Sequence, residues 1–327
     1  MRIHCLGGGL VGSFVTRRLV EAGFDVHLYD VVERESPATF HLGDALTSDH
    51  SQAEVIVNML PGSLGNKMTS LLKDSGQRIV DLSFSETTPD TLEDVSSTIL
   101  WDVGIAPGLS NMLVASAFRE FGSLDSVSIK VGGNPQQPDG EWSYMAPFSP
   151  HDVIAEYIRP ARVIQRGEQV EVPAMSELHS IDANGREMEA FLTDGLRSLL
   201  SMPAQKMGEY TVRWPGHIQR YQNTKLSPDE LVDAWALDPQ RSEFTWMEVC
   251  VSSGDETRTW IVEDLGKDGD SSMARTTGLV TACCVIAWID RPDMFGSGVF
   301  APEDLPDDVI QLVVEVMSAE GVSIELR

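Results

Sequence analysis

The chain opens MRIHCLGGGLVGSFVTRRLVEAGFDVHLYD over residues 1–30, and the reading of this stretch decides the fold. Arg2–Leu6 is a short apolar run with strand character, and Gly7-Gly8-Gly9-Leu10-Val11-Gly12 follows at once. From Leu10 to Ala22 the apolar residues Val11, Phe14, Val15, Leu19 and Ala22 recur at helical spacing, and Gly23 stops the helix. Phe24–Tyr29 is a second strand with Asp30 at its tip. Strand, glycine turn, helix, strand and acid in this order make the fingerprint of a dinucleotide-binding unit.

Each part has a physical task. Gly7 allows the tight turn. Gly9 lets the backbone approach a pyrophosphate, and Gly12 lets the helix pack close to the strand. Leu10 and Val11 open the helix, whose unpaired N–H groups and positive dipole end face the phosphates. Asp30 accepts both hydroxyls of an adenosine ribose and repels a 2′-phosphate. NAD is therefore the expected cofactor, with NADP weaker; Arg34, four residues on, softens the preference. A nucleotide-free sheet whose glycines serve only packing is the alternative.

Working outward, His41–Ala45 is expected as the third strand, with Asp44 placed to meet an adenine amino group. Val55–Leu60 reads as a strand buried on both faces, with Leu60 and Pro61-Gly62 at the carboxyl end where cofactors sit in such sheets. Ser63–Lys73 is a helix. Ile79–Leu82 is a fifth strand with Ser83 just beyond it, Thr88 caps a short helix, and Ile99–Val103 is a sixth strand. Strands alternating with helices imply a parallel, doubly wound sheet.

Gly104-Ile105-Ala106-Pro107-Gly108 leaves that sixth strand as a rigid turn, and the apolar helix Met112–Phe121 follows. The pattern then changes. Strands are expected at Val127–Gly132, Arg162–Ile164, Gln169–Val172, Tyr210–Trp214, Phe244–Ser252 and Arg258–Glu263, with Asn184-Gly185 as a hairpin turn. Helices are expected at Pro150–Tyr157 and Pro228–Trp235, the second with the capping box Ser227…Glu230. Ala274–Ile289 and Asp307–Ala319 are helical again. The fold class is thus α/β: a doubly wound Rossmann domain over 1–122, an α+β domain over 123–271, and C-terminal helices over 272–327 expected to return to the first domain.

Composition narrows the function. The 327 residues carry 24 Lys and Arg against 50 Asp and Glu, and only six of the basic residues are lysine. So acidic a chain argues against nucleic-acid or anionic-membrane partners, and it suggests a saline habitat. The four cysteines, Cys5, Cys250, Cys283 and Cys284, show no metal or disulfide spacing, so no metal is expected and a reduced cytoplasm fits. Residues 2–6 already read as a strand, so no signal peptide is expected, and the run Leu279–Ile289 is expected to be too short to span a bilayer.

Several stretches together resemble the saccharopine dehydrogenase-like family, and within it the lysine 6-dehydrogenase branch. They are Gly7–Gly12, Asp102–Gly108, Val131–Pro135, Phe148-Ser149-Pro150, Val172-Pro173 with Glu177, Glu189–Phe191, Tyr210–His217, Met273–Arg275, and Gly298-Val299 with Pro302-Glu303. Trp214-Pro215, Asn134 and the loosely matching Leu192–Leu200 depart from the pattern, which bears on the amine rather than the reaction. The resemblance implies that the α+β domain is inserted for substrate and dimer contacts, and it implies a homodimer or higher homo-oligomer and NAD(P)-dependent oxidation of an amine to an imine. The substrate it implies is an amino acid, oxidatively deaminated at the ε-amine of L-lysine to give allysine and ammonia.

That chemistry needs a group to manage the amine proton, a grip on the carboxylate and acid–base help in hydrolysis. Asp102, at the carboxyl edge of the sixth strand, suits the amine proton, or alternatively bonds its own turn. Arg213 suits a bidentate clamp on a carboxylate, or a surface ion pair. His217 suits acid–base or positioning work, or a structural hydrogen bond. Tyr144 suits the pocket wall, or the core, and Thr193 and Asp194 are further candidates. His151 is expected to be exposed. Two other readings stay open: a saccharopine-type or carboxynorspermidine-type secondary-amine dehydrogenase, which wants several basic pocket residues, and a nucleotide sensor without turnover.

Overall fold

A computed structural model describes residues 1–146 and 149–327. Pro147 and Phe148, the latter part of one family-like motif, lie outside the described residues. Along the chain run β1 (Arg2–Leu6), α1 (Leu10–Glu21), β2 (Asp25–Asp30), β3 (Thr39–Leu42), β4 (Val55–Asn58), α2 (Gly62–Leu72), β5 (Arg78–Asp81), β6 (Thr98–Trp101) and α3 (Leu109–Phe121). Then follow β7 (Ser126–Pro135), α4 (Pro150–Ile158), β8 (Ala161–Gln165), β9 (Glu168–Val172), β10 (His179–Asp182), β11 (Glu187–Thr193), β12 (Lys206–Arg213), α5 (His217–Asn223) and α6 (Pro228–Ala234). The chain closes with β13 (Glu243–Ser253), β14 (Glu256–Asp264), α7 (Ser272–Asp290), β15 (Gly298–Phe300), α8 (Asp307–Ala319) and β16 (Ser323–Leu326).

The chain divides into two compact units, residues 1–109 with 274–316 and residues 110–273 with 317–327. In the first, parallel strands lie in the order β15-β6-β5-β4-β1-β2-β3. This is the doubly wound order with one strand added beside β6, and the order reverses between β1 and β4. Leu6, Ile56, Ile79, Ile99 and Trp101 fill the core on one face. α7 packs against α1, where a side chain at Gly278 would sit 2.4 Å from the Phe14 ring. α7 is 19 residues long with a mean hydropathy of 1.4, enough by length and composition to cross a membrane, which exceeds the shorter run expected from sequence. It is instead mostly buried within the protein, which accounts for its apolar character.

The second unit holds a mixed sheet in the order β10-β11-β12-β7-β13-β14-β16, with β8 and β9 branching from β12. The Asn184-Gly185 hairpin stands as expected, both residues at positive φ, between β10 and β11. The Ser227–Glu230 capping box is also formed. Three things differ from the sequence reading. β3 lies earlier than His41–Ala45, because Gly43 and Asp44 turn the chain out of the sheet. The first break falls at 109 rather than 122. The C-terminus does not stay with the first unit: β16 pairs antiparallel with β14, Val262 opposite Ile324, so main-chain hydrogen bonds draw residues 317–327 into the second sheet.

Candidate functional site

The glycine turn after β1 has the geometry of a phosphate cradle. Gly7 has φ +94°, and a Cβ there would lie 2.8 Å from the Met59 carbonyl oxygen. A Cβ at Gly12 would lie 2.0 Å from the Gly7 carbonyl oxygen, so α1 packs against the turn as closely as backbone allows. At Gly9, by contrast, no atom of the described residues would come within 4 Å. Two glycines are thus required by the fold, while the third faces open space. α1 starts there with no side-chain cap and no acid in its first turn, and Leu10 is exposed. The leading amides of the helix, Val11 among them, therefore suit an anion.

Asp30 lies at the end of β2 with its carboxylate on this turn. Oδ2 accepts from the Gly8 amide at 2.6 Å and from Arg34 Nε at 3.3 Å, and Oδ1 accepts from the Val32 amide at 2.8 Å. Burial alone would raise its pKa; the Val32 and Gly8 amides and the Arg34 guanidinium more than offset that, and the group sits below the usual carboxylate range. Asp44 caps a 3-10 turn by accepting from the Leu46 amide at 2.9 Å. Leu60 and Pro61 lead from β4 into α2, another helix start without an acidic first turn. Ser83 is buried, its amide bonded to Asp81 at 2.6 Å and its side chain packed on Gly65. Asp102 follows β6, buried, at φ +58°. The turn after it needs glycine: Gly108 has φ +135°, and a Cβ there would lie 1.9 Å from the Gly104 carbonyl oxygen. Thr281 on α7 donates to the Val103 carbonyl at 2.7 Å and fixes this turn.

In the second unit, Arg213 at the end of β12 is buried among aromatic rings. Nε donates to the Tyr157 hydroxyl at 2.8 Å and Nη1 to the Val212 carbonyl at 2.9 Å, while Nη2 makes a long contact of 3.5 Å with the Tyr144 hydroxyl. The guanidinium carbon lies 4.4 Å from the centre of the Tyr144 ring. Burial works against its charge, and Tyr157, Tyr144 and Glu156 more than offset it, so the group stays cationic. Burial pushes the Tyr144 phenol up to about 12. His217 is buried at the start of α5, Nδ1 3.0 Å from the Trp142 carbonyl oxygen and Nε2 3.2 Å from the Tyr157 hydroxyl. Burial, with the charge of Arg213, lowers its pKa to about 3.

Residues 104–322 match the family model described as the saccharopine dehydrogenase C-terminal domain. The chain belongs to the saccharopine dehydrogenase family. Among curated proteins it is 24% identical over 297 residues to mitochondrial alpha-aminoadipic semialdehyde synthase of Bos taurus, covering 76% of this chain and 31% of that protein. The same enzyme of Rattus norvegicus is 22% identical over 284 residues, covering 73% and 30%. The chain thus spans about a third of the length of these relatives. Among solved structures, apo saccharopine dehydrogenase (L-Glu forming) from Saccharomyces cerevisiae superposes with a TM-score of 0.72 at 15% identity, covering 100% of this chain and 99% of that one. At that identity the likeness establishes the fold.

Within this family member the structure adds residues that the sequence reading did not single out. Tyr157 links Arg213 to His217. Glu209 on β12 is buried and accepts from the Thr193 hydroxyl at 2.6 Å, and Thr193 is 2.8 Å from the Thr211 hydroxyl. Gly195 makes room for it, since a Cβ there would fall 2.3 Å from Glu209 Oε2. Burial, reinforced by Glu156, pushes the Glu209 carboxyl up to about 8; burial also pushes Glu156 up to about 7, against the pull of Arg213. Asp194, a candidate for substrate contact, is buried in a pair of ion bridges to Arg159 at 2.9 Å and Arg162 at 2.8 Å. Glu209 carried a faint signal, a lone acid in the otherwise apolar or small run Met207–Val212. The tyrosine link carried none, because Tyr157 lies 56 residues from Arg213 in sequence.

Proposed function

We propose that the protein is a nicotinamide-dependent dehydrogenase of an amino-acid amine, with the ε-amine of L-lysine as substrate and NAD preferred to NADP. The observation that carries this reading is the buried, permanently charged Arg213. Three of its five N–H groups have partners among the described residues, so two remain for a carboxylate. A carboxylate matches the paired geometry of the donors that remain. The open face at Gly9, the bare start of α1 and the ribose-accepting Asp30 fit a dinucleotide.

The reaction balances as R-CH2-NH3+ + NAD+ + H2O giving R-CHO + NADH + NH4+ + H+. A bound nicotinamide supplies the hydride acceptor. Asp102 is assigned to the substrate ammonium, which must shed a proton before its carbon can release hydride. Arg213 is assigned to the α-carboxylate. The Tyr144 phenol, protonated at working pH, serves as wall and donor rather than base. A free lysine ammonium has a pKa of about 10.4, so turnover should rise toward alkaline pH.

A second reading, a saccharopine-type secondary amine, draws on Arg159 and Arg162. Both are paired with Asp194, and they place basic residues, the type such a substrate needs, in the same unit as Arg213. The deciding test is NAD reduction with L-lysine, cadaverine and saccharopine. Lysine should be best and cadaverine poor for want of a carboxylate. Saccharopine turnover far above lysine turnover would establish the second reading instead.

A further inference from the structure

We propose that Tyr157 and His217 are positioning residues that lock the Arg213 guanidinium through a relay in which every proton has one permitted direction. The inference rests on the reading of Arg213 as the carboxylate anchor. Its logic starts at the Trp142 carbonyl, which can only accept. His217 Nδ1, 3.0 Å away, must therefore carry a proton. A neutral imidazole then has a bare Nε2, and Tyr157, 3.2 Å from it, must donate. The Tyr157 oxygen is left to accept from Arg213 Nε at 2.8 Å. The Val212 carbonyl holds Nη1, and the Tyr144 ring lies beneath the guanidinium.

The surroundings keep this order. His217 is enclosed by Trp142, Tyr144, Tyr157 and Trp235, with ring centroids 5.1–5.8 Å away. The charges that act on it are Arg213 and Arg220, both positive, so a second proton on the ring is opposed from both sides. A general acid or base must gain and lose a proton during turnover, and this imidazole is held neutral with both nitrogens engaged. A planar cation held on one edge and one face presents its remaining donors in a fixed plane. That is what bidentate recognition of a carboxylate requires.

The test combines kinetics with imidazole and guanidinium 15N NMR on the whole protein. In the wild type, His217 should show the neutral Nδ1–H form from pH 5 to 9, and the Arg213 Nε–H should be protected from exchange. Tyr157→Phe should abolish that protection and raise KM for L-lysine about 10-fold to 100-fold, with kcat and both limbs of the pH–rate profile retained. KM for cadaverine should not move. His217→Gln, whose carbonyl can accept the tyrosine proton, should return to within a few-fold of wild type, and His217→Leu should match Tyr157→Phe. An Nε2–H tautomer, an unprotected Arg213 Nε–H in the wild type, or loss of one limb of the pH–rate profile in His217→Gln overturns the proposal. If Arg213→Gln leaves lysine KM unchanged, the carboxylate reading fails by itself, and the NMR signals still decide whether the relay exists.

Discussion

Replacing Glu209 by glutamine should make the protein more stable in alkali and leave it unchanged in acid. The carboxyl is fully enclosed on β12, and its pKa stands at about 8 against an ordinary 4.5. The folded state therefore holds a proton that the unfolded chain releases between those values. Its stabilising effect is complete below pH 4.5 and is lost as pH rises through 8. At about 1.4 kcal/mol per pKa unit, the ceiling is on the order of 5 kcal/mol above pH 9. Coupling to Glu156 and entry of water will reduce that, so we expect about 2 kcal/mol. A glutamine amide copies the neutral acid: its carbonyl can accept from Thr193, and it cannot ionise. With about 2–4 °C of Tm per kcal/mol for a unit of this size, Glu209→Gln should melt about 4–8 °C above wild type at pH 9.5 and within about 1 °C at pH 5. The assay is thermal unfolding followed by circular dichroism from pH 5 to 9.5. Parallel Tm curves for the two proteins would show that Glu209 is not protonated in the fold, and the argument would fail. The same alkaline range should favour amine oxidation, so activity and stability should run in opposite directions with pH.

Other outcomes follow from the same structure. Gly9→Ala should leave Tm within about 2 °C yet raise KM for NAD at least about 10-fold, because its Cβ meets open space in the protein but would enter the proposed pyrophosphate path. Gly12→Ala should instead cost about 1–3 kcal/mol of folding stability, from overpacking against the Gly7 carbonyl. In Asp30→Ser, Arg34 loses its carboxylate partner and the repulsion of a 2′-phosphate disappears; kcat/KM with NADP should rise about 10-fold relative to NAD, and an unchanged ratio would count against the role of Asp30. Asp102→Asn should lower kcat/KM for lysine by about 10²-fold with NAD affinity unaffected; a stable, fully active variant would remove Asp102 from the chemistry. His4 packs among His27, Tyr29 and His50, and its pKa falls to about 4, by burial first and the neighbouring imidazoles second. The stability it contributes is complete above pH 6.5 and is lost as pH falls toward 4, so His4→Gln should flatten the acid side of the Tm curve.

Much of the first unit was legible because its determinants are local. Gly7, Gly9, Gly12 and Asp30 lie within one strand–helix–strand segment, and their spacing alone predicts that Gly7 turns the chain and Gly12 packs the helix against it, as the structure shows. Continuous apolar runs such as Val55–Asn58 announce strands buried on both faces. Apolar α7 was legible as a helix, but its length and burial were settled only by the elements packed around it.

The second unit was legible only in outline. β10, β11, α5 and β16 escaped the sequence reading, because short strands of mixed character gain their stability from partners far along the chain. β16 is the clearest case: Val322–Arg327 alternates apolar and polar residues, a pattern that allows a strand, but only the edge of β14 decides where it pairs. The site divides the same way. The sequence by itself determined which residue types were available, Arg213, His217 and Tyr144 among them. Only the tertiary structure set Tyr157 between the arginine and the histidine, joined Asp194 to two arginines, and buried Glu209 beside Thr193. Charge state and hydrogen-bond direction depend on burial and on neighbours remote in sequence, and those exist only once the chain has folded.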